Sequence, residues 1–538
     1  MAFRNVSRRD AILLLLGASC FYTFSVFLQN PSSPPPSLII DTHPQPASAE
    51  TVTETVFTTA ALPAPTRVDL GLQKFPETTV VAHAPGWTIF RNLYSANGTL
   101  FLLTSDPSHF PPHRLMTSTG LPGNLTNDPQ RIPTSREMAF ITPAEAEARW
   151  GGGPSLNGRN RVSTVEGTTL LFNDPPQFLN HYYHFVAELI YGSWAFLYGA
   201  FYEQPAKPLT SVPEPSFNTP LISNSTPKID RAIFIHADVK GWRDAPGFNG
   251  YFMRAVFPSM TIEVSTDWID RINATASTEI GRAWHFPLVL LTDRSAAFRG
   301  AITGQYTQRT AAEAWMTMAK LGKIDLIGNW WASMRGALLR YAGGDPHEDL
   351  APVLAMPDTI VITYINRQGT RRHLRDADNS ALVAAMESLV ARKNLEGTRK
   401  WEFHDVHAER ISLDEQVKIA GRTTIMLGVH GNGLTHLVLM KPTLVSAVVE
   451  MFIPGGFARD YEWTSRSLGM KHYSVWNDTS FTHPNEPPIP DYPEGFHGPN
   501  IPVVGTFVAD LIEKHVASRE KGEPSVNNSP VYDAVQDR

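Results

Sequence analysis

Thr359-Ile360-Val361-Ile362-Thr363-Tyr364-Ile365 is an uncharged run of β-branched, apolar and aromatic residues. A strand with one wet face alternates apolar and polar side chains. A run without that alternation reads as a strand covered on both faces, as in the middle of a parallel sheet. The chain beyond Ile365 keeps the pattern going. Residues 379–392 read as an amphipathic helix with Asn379 or Asp378 as its N-cap, and 401–406 as a second strand. Ser412-Leu413-Asp414-Glu415 fits a capping box opening a helix that ends at Gly421. Residues 424–429 and 443–452 read as further strands. Strands alternating with helices in this way predict an open, parallel α/β sheet. The proline-rich stretch 481–502 reads as a long loop, 503–517 as a closing helix, and the last residues as a tail.

Upstream of this sheet the pattern is less regular. Residues 231–235 and 287–292 read as buried strands, and 181–200, 311–321 and 332–341 as helices. Proline-rich residues 204–227 read as a loop. Gly343-Gly344-Asp345-Pro346 is a strong break and a candidate linker. The expected layout is an α/β domain over 67–345, a second over 346–520, a tail over 521–538, and a cleft between the two domains.

The chain of 538 residues carries 42 % hydrophobic residues, enough for a sizeable core and too many for a largely disordered protein. Its net charge of −6 argues against nucleic acid as a partner, and no nucleic-acid partner is expected. Cys20 is the sole cysteine, which excludes an intrachain disulfide and multi-cysteine metal sites. Residues 11–28 form an uncharged apolar run preceded by Arg4, Arg8 and Arg9. In a helix this run spans about 27 Å, close to the hydrocarbon thickness of a bilayer. The flanking arginines predict a cytosolic tail over 1–10, a single-pass signal anchor over 11–28 and everything beyond it across the membrane. A cleaved signal peptide and a twin-arginine signal are the rival readings. Residues 29–66, rich in Pro, Ser and Thr, read as an extended stem. Anchor, stem and a large globular part are the layout of a Golgi or endoplasmic-reticulum enzyme with its catalytic part lumenal. Glycosylation triplets begin at Asn97, Asn124, Asn224, Asn273, Asn477 and Asn527.

Three stretches carry candidate chemistry. Gly428-Val429-His430-Gly431-Asn432-Gly433-Leu434-Thr435-His436 follows a predicted strand and leads into a predicted helix over 434–440. Its glycines allow a sharp turn and a close ligand approach, and a helix start offers unpaired N–H groups. In an open α/β sheet ligands bind at the carboxyl ends of strands, so this loop is a candidate diphosphate cradle; the alternative is an ordinary tight turn. It is not a Walker A loop, because no Gly-Lys-Ser/Thr follows. Arg367, Arg371 and Arg372 follow the 359–365 strand, and guanidinium groups match phosphate oxygens; the alternative is a solvated charged turn. His184 and Glu188 are four residues apart on one helical face, with His181 a turn before them, and a histidine beside a carboxylate can act as a general base. Metal binding there lacks an evident third ligand. Asp376-Ala377-Asp378 reads as helix capping before metal binding, His404-Asp405-Val406-His407 as strand-end polarity, and Glu450, ending a buried strand, as a carboxylate within reach of a ribose. No Gly-x-Ser-x-Gly elbow supports a serine hydrolase.

Taken together, Asn180-x-x-x-His184-Phe185-x-x-Glu188, Asn366-Arg367-x-x-x-Arg371-Arg372, Asp414-Glu415-Gln416-Val417, the 428–436 loop and Val449-Glu450-x-Phe452 resemble glycosyltransferase family 61, its fungal-type members above all, over about residues 173–476. The resemblance implies a GT-B-like fold of two Rossmann-like domains facing a cleft. It implies inverting transfer of a sugar from a nucleotide donor, usually UDP-linked and UDP-GlcNAc or UDP-xylose first, to a hydroxyl of a glycan or glycoprotein in the secretory pathway. Arg367 with Arg371 or Arg372, His430 and the 431–435 segment (Gly431, Asn432, Gly433, Leu434, Thr435) would hold the donor diphosphate, and Glu450 would stand near the nucleoside. His184 and Glu188 would face the acceptor. No metal or other cofactor is expected to be required, with manganese left open. Asn432 stands where the family pattern has a small residue. The rival from another class is a non-catalytic, carbohydrate-binding or scaffolding relative. A lumenal glycan hydrolase has no obvious carboxylate pair in its favour.

Overall fold

The 359–365 run is a central strand, and its side chains divide between two cores. Ile360, Ile362 and Tyr364 enter one buried cluster, while Ile365 enters another. The structure, a computed structural model, describes residues 74–124, 126–153, 159–202, 226–344 and 354–522. Contacts divide the chain between Arg67 and Val68, and all described residues belong to the second unit. The expected anchor and stem, Asn224, Asn527, nearly all of the 204–227 loop and part of the 343–346 break lie outside the described residues. Among the described residues no helix is long and apolar enough to cross a membrane.

In chain order the strands are β1 (Thr79–Ala84), β2 (Trp87–Ala96), β3 (Thr99–Leu103), β4 (Met138–Ile141), β5 (Val162–Thr164), β6 (Thr168–Phe172), β7 (Ile229–Phe234), β8 (Thr261–Glu263) and β9 (Ala283–Thr292). They continue with β10 (Thr359–Ile365), β11 (Lys400–Val406), β12 (Ile425–Val429), β13 (Ala447–Met451), β14 (Lys471–Trp476) and β15 (Thr479–Phe481). The second sheet has the order β11-β10-β12-β13-β14-β15, parallel except for the β14–β15 hairpin. The chain steps from β10 to β11 on one side, then returns to β12 on the other. The strand order therefore reverses between β10 and β12, and a crevice opens there at the carboxyl ends.

The first sheet is mixed, which the sequence reading did not anticipate. Its main path is β4-β3-β2-β9-β6-β7-β8, with β1 on β2 and β5 on β9. Strands β9, β6, β7 and β8 are parallel neighbours, and the order reverses between β6 and β9. Strands β1 to β3 add an antiparallel flank. The β2–β3 turn is Asn97-Gly98, with φ of 49° and 81°, the left-handed pair that a two-residue hairpin requires. Strand β2 is buried at nearly every position, so it shows no alternation to mark it.

Each sheet buries one face in a shared core. From the first sheet Leu170, Phe172, Ala232, Phe234 and Leu290 enter it; from the second, Met426 and Val448. Between them lie apolar side chains of the helices Tyr191–Ala200, Ala311–Lys320, Ala332–Tyr341 and Asp460–Ser467. Each buried Leu, Ile or Val contributes about 1.5–3 kcal/mol, so a core this wide binds both sheets firmly together. The outer face of the second sheet, with Ile425, Leu427 and Val449, packs under the helices Asp376–Glu396 and Gly505–Glu520.

Element boundaries moved where side chains found other partners. The Asp376–Glu396 helix begins before the expected cap, so Asp376 and Asp378 lie in its first turn. There Asp378 accepts from the Val503 N–H, and Asn379 accepts from the Tyr364 hydroxyl at 2.8 Å. Ser412 caps its helix by accepting from the Glu415 N–H at 3.2 Å. Residues 443–446 form a turn closed by Ser446, so β13 starts only at Ala447.

Candidate functional site

Asn366 follows β10 and is pinned by β11: its side-chain amide donates to Asp405 at 2.9 Å. This directs Arg367 toward the end of β12. Arg367 and Arg372 both donate to the His430 carbonyl, at 3.4 and 2.7 Å. Arg372 also lies over the Phe496 ring and 2.6 Å from His497 Nδ1. Among the described residues no carboxylate pairs with Arg367, Arg371 or Arg372. Burial, reinforced by the neighbouring arginines, pulls the Arg367 and Arg372 values down. This is a concentrated, uncompensated positive charge.

Gly431 is required by this approach. Its φ is 147°, and a Cβ there would collide with Arg367 Nη1. A 3₁₀ helix, Asn432–Leu439, follows where an α-helix over 434–440 was expected. Its start leaves the first amides without intrahelical partners. Arg367, Arg371, Arg372, His430, Gly431 and Asn432 line a cavity of about 220 Å³, together with His181, Tyr183, His184, Asp460 and Tyr461.

Four candidates from the same stretches do not line that cavity. Leu434 is fully buried against Gly428, Thr435 is fully buried, and a Cβ on Gly433 would strike Ile365. Glu450 is fully buried, and both its oxygens are taken: His430 Nδ1 lies at 2.5 Å and His472 Nε2 at 2.9 Å. Its carboxyl therefore props His430 and does not open toward a ribose. Burial pushes Glu450 well above the carboxylate range, holds His430 well below the imidazole range and takes His472 to about 3.

His184 and Glu188 come from the first half. The expected single helix over 181–200 is a π-helix, Tyr183–Ile190, followed by an α-helix, Tyr191–Ala200. Such wide turns recur at functional sites. His184 Nδ1 lies 2.5 Å from Glu188 Oε2. The other Glu188 oxygen accepts from the Thr310 N–H at 3.2 Å and faces Arg309 at 3.9 Å. Burial raises the Glu188 value, but Arg309 and His184 outweigh it and hold the carboxylate at about 2. A carboxylate ionised in this way fixes the proton on His184 Nδ1 and leaves Nε2 as the basic nitrogen.

The tertiary structure adds residues the sequence did not single out. Arg309 pairs with Asp460 of the second half, Tyr461 borders the basic cavity and His472 supports Glu450. These four lie outside the quoted motifs, and no local spacing marks them. The structure also gives the candidate Asn432 a partner: its Oδ1 accepts the Tyr183 N–H at 3.1 Å. A second cavity of about 570 Å³ is lined by His184, Glu188, Arg309, Asp174, Phe178 and Arg294, among others. It sits at the carboxyl ends of β6 and β9, where the first sheet reverses its order. His184 lines both cavities. Asn124 also borders the larger one, its side chain folded back onto Thr126 and Asn127. Asn97 and Asn273 are exposed and Asn477 half-buried. Among the described residues no group of three or more His, Cys, Asp or Glu could hold a metal ion.

Set beside known proteins, residues 182–449 match the family described as Glycosyltransferase 61. No curated protein matches the chain.

Proposed function

Because the chain belongs to glycosyltransferase family 61 and is a glycosyltransferase, we propose that it transfers a sugar, with inversion, from a UDP-linked donor to a hydroxyl of a glycan or glycoprotein. UDP-GlcNAc and UDP-xylose are the first donors to try. One observation carries this reading: His184 lines two cavities, each at a strand-order reversal, and only one of them has an uncompensated arginine cluster. The layout accords with a GT-B-like division into an acceptor-side part, 67–345, and a donor-side part, 346–520.

In this reading the diphosphate lies against Arg367, Arg371 and Arg372 and the amides at the start of the 432–439 helix. Guanidinium pairs and oriented N–H groups stabilise charge that grows on the leaving group. His430, held by Glu450 from below, closes that side. The acceptor hydroxyl approaches from the opposite side of the anomeric carbon. His184 Nε2 takes its proton while the new C–O bond forms. The bond from carbon to the diphosphate oxygen breaks, and its electron pair leaves with the UDP. Glu188 stabilises the imidazolium that results. The arginines supply the positive charge that a metal provides in other transferases, so we propose that no metal is required. We also propose that residues 11–28 anchor the protein, type II, in the Golgi or endoplasmic-reticulum membrane.

The test is a panel of nucleotide sugars offered to the protein with and without manganese, following binding and nucleotide release. Binding of one UDP-sugar with slow hydrolysis, both lost in Arg367→Ala and His430→Ala, is the expected result. A folded protein that binds no nucleotide sugar overturns the donor assignment.

A further inference from the structure

Six non-glycine residues among those described take a positive φ; four are asparagines, which tolerate it. The other two are Phe178 at 71° and Gln308 at 54°, and both line the 570 Å³ cavity. For a bulky side chain this conformation costs about 1–3 kcal/mol, and such strain concentrates where a ligand is held. Phe178 is also 52 % exposed, and Phe298, lining the same cavity, is 47 % exposed. Two solvent-facing aromatic rings therefore border one cavity, one of them held there by strained backbone. The Phe178 ring lies 4.9 Å from that of His184, centroid to centroid.

Most charges in this cavity are paired: Arg294 lies 3.2 Å from Asp174 and Arg309 3.9 Å from Glu188, both carboxylates lining it, while Arg131 lies 3.9 Å from Asp128, an exposed residue outside the lining. In the basic cavity on the other side of His184, Asp460 is taken by Arg309, and among the described residues no carboxylate pairs with Arg367, Arg371 or Arg372. The larger cavity thus suits a neutral ligand that makes hydrogen bonds and has a flat apolar face. Arg131 and Gln308 line it as hydrogen-bond donors.

We propose that this cavity is the acceptor site and that the acceptor is a neutral sugar ring of a glycan. The C–H face of the pyranose rests on Phe178 and Phe298. Its hydroxyls take hydrogen bonds from Arg131 and Gln308, and the reacting hydroxyl reaches His184. A serine or threonine in an extended peptide would be held through backbone pairing at a strand edge or in a groove. The two aromatic rings supply neither. This inference rests on the transferase reading and narrows its acceptor from any glycan or glycoprotein hydroxyl to a sugar.

The experiment measures binding of methyl glycosides of glucose, galactose, mannose and xylose by saturation-transfer NMR without donor, and transfer onto them with donor. A peptide containing Ser and Thr is the competing acceptor. Phe178→Gly and Phe298→Ala are the variants; the glycine also relieves the backbone strain, so loss of fold is not the expected outcome. At least one glycoside should bind, and each variant should raise its KM by about tenfold or more, the loss of an aromatic anchor. UDP affinity, measured by calorimetry, should stay unchanged. Absence of glycoside binding, unchanged acceptor KM in both variants, or transfer to the peptide alone overturns the proposal. Glycoside binding without UDP-sugar binding would sustain the sugar site and overturn the donor reading instead.

Discussion

Asn432 Oδ1 accepts the backbone N–H of Tyr183 at 3.1 Å, joining the glycine loop of the second sheet to the first turn of the helix that carries His184. The same oxygen accepts from Thr435 at 3.3 Å. A smaller residue between the two glycines could not make this link. Asn432→Ala is expected to cost about 1 kcal/mol, the net worth of such a bond. It should also weaken nucleotide binding, because the loop loses its anchor. Asn432→Asp keeps the acceptor oxygen and should retain most of the stability. Thermal unfolding and calorimetric UDP titration of both variants check this.

Gly431 tests the cradle by sterics. An alanine there needs a φ of 147° and drives its Cβ into Arg367 Nη1. Gly431→Ala should therefore displace Arg367 and destabilise the protein by about 1–3 kcal/mol. UDP affinity should fall to the level of Arg367→Ala. Each arginine removed from a phosphate contact should cost about 1.5–3 kcal/mol of binding. An alanine variant with wild-type UDP affinity would remove the loop from the cradle.

The His184–Glu188 pair predicts a kinetic signature. Glu188→Gln keeps the size of the side chain and loses the charge that orients and stabilises the imidazole. Its kcat should fall by about 100-fold, with donor KM little changed. Arg309→Met should move in the same direction, because Arg309 is what keeps the buried Glu188 ionised. An equal fall in donor affinity would count against an acceptor-side role.

Glu188 also predicts a pH effect on stability. Its value falls from 4.5 unfolded to about 2 folded. A depressed carboxylate contributes stability that is present above the unfolded value and is lost as pH falls through the folded one. About 3 kcal/mol should therefore disappear between pH 4.5 and 2. Denaturant titrations across this range should show a shallower loss in Glu188→Gln.

His472 acts at higher pH. Burial takes it from 6.5 to about 3, so it is neutral when folded. The unfolded chain takes up this proton first, and the stabilisation present above 6.5 is lost as pH falls. About 2 kcal/mol should be lost between 6.5 and about pH 5. His472→Gln, which can still donate to Glu450, should flatten that slope. An unchanged acid profile in this variant would mean that other buried histidines dominate.

Several parts of this molecule were legible along the chain. The unbroken apolar run of β10, the glycines after β12 and the arginines after β10 place a parallel sheet and a basic loop pair without any tertiary information. The His184–Glu188 spacing was also readable, since residues four apart meet on a helix whatever surrounds it. Other features were hidden. Strand β2 is buried on both faces, which erases its alternation. The depth of Leu434, Thr435 and Glu450 depends on what packs over them. Glu450 looked like a ligand contact because it ends a strand; two histidines, 20 and 22 residues away, claim its oxygens.

The sequence by itself determined the class of the second sheet, the elements that end at its active edge and the residue types gathered there. These follow from periodicity and turn chemistry, which act over a few residues. Only the tertiary structure decided that Arg309 and Asp460 meet, that Asn432 reaches Tyr183 and that two strand-order reversals converge on His184. Those contacts join residues more than a hundred positions apart. They exist because both sheets bury a face in one core, and that shared burial has no local signature.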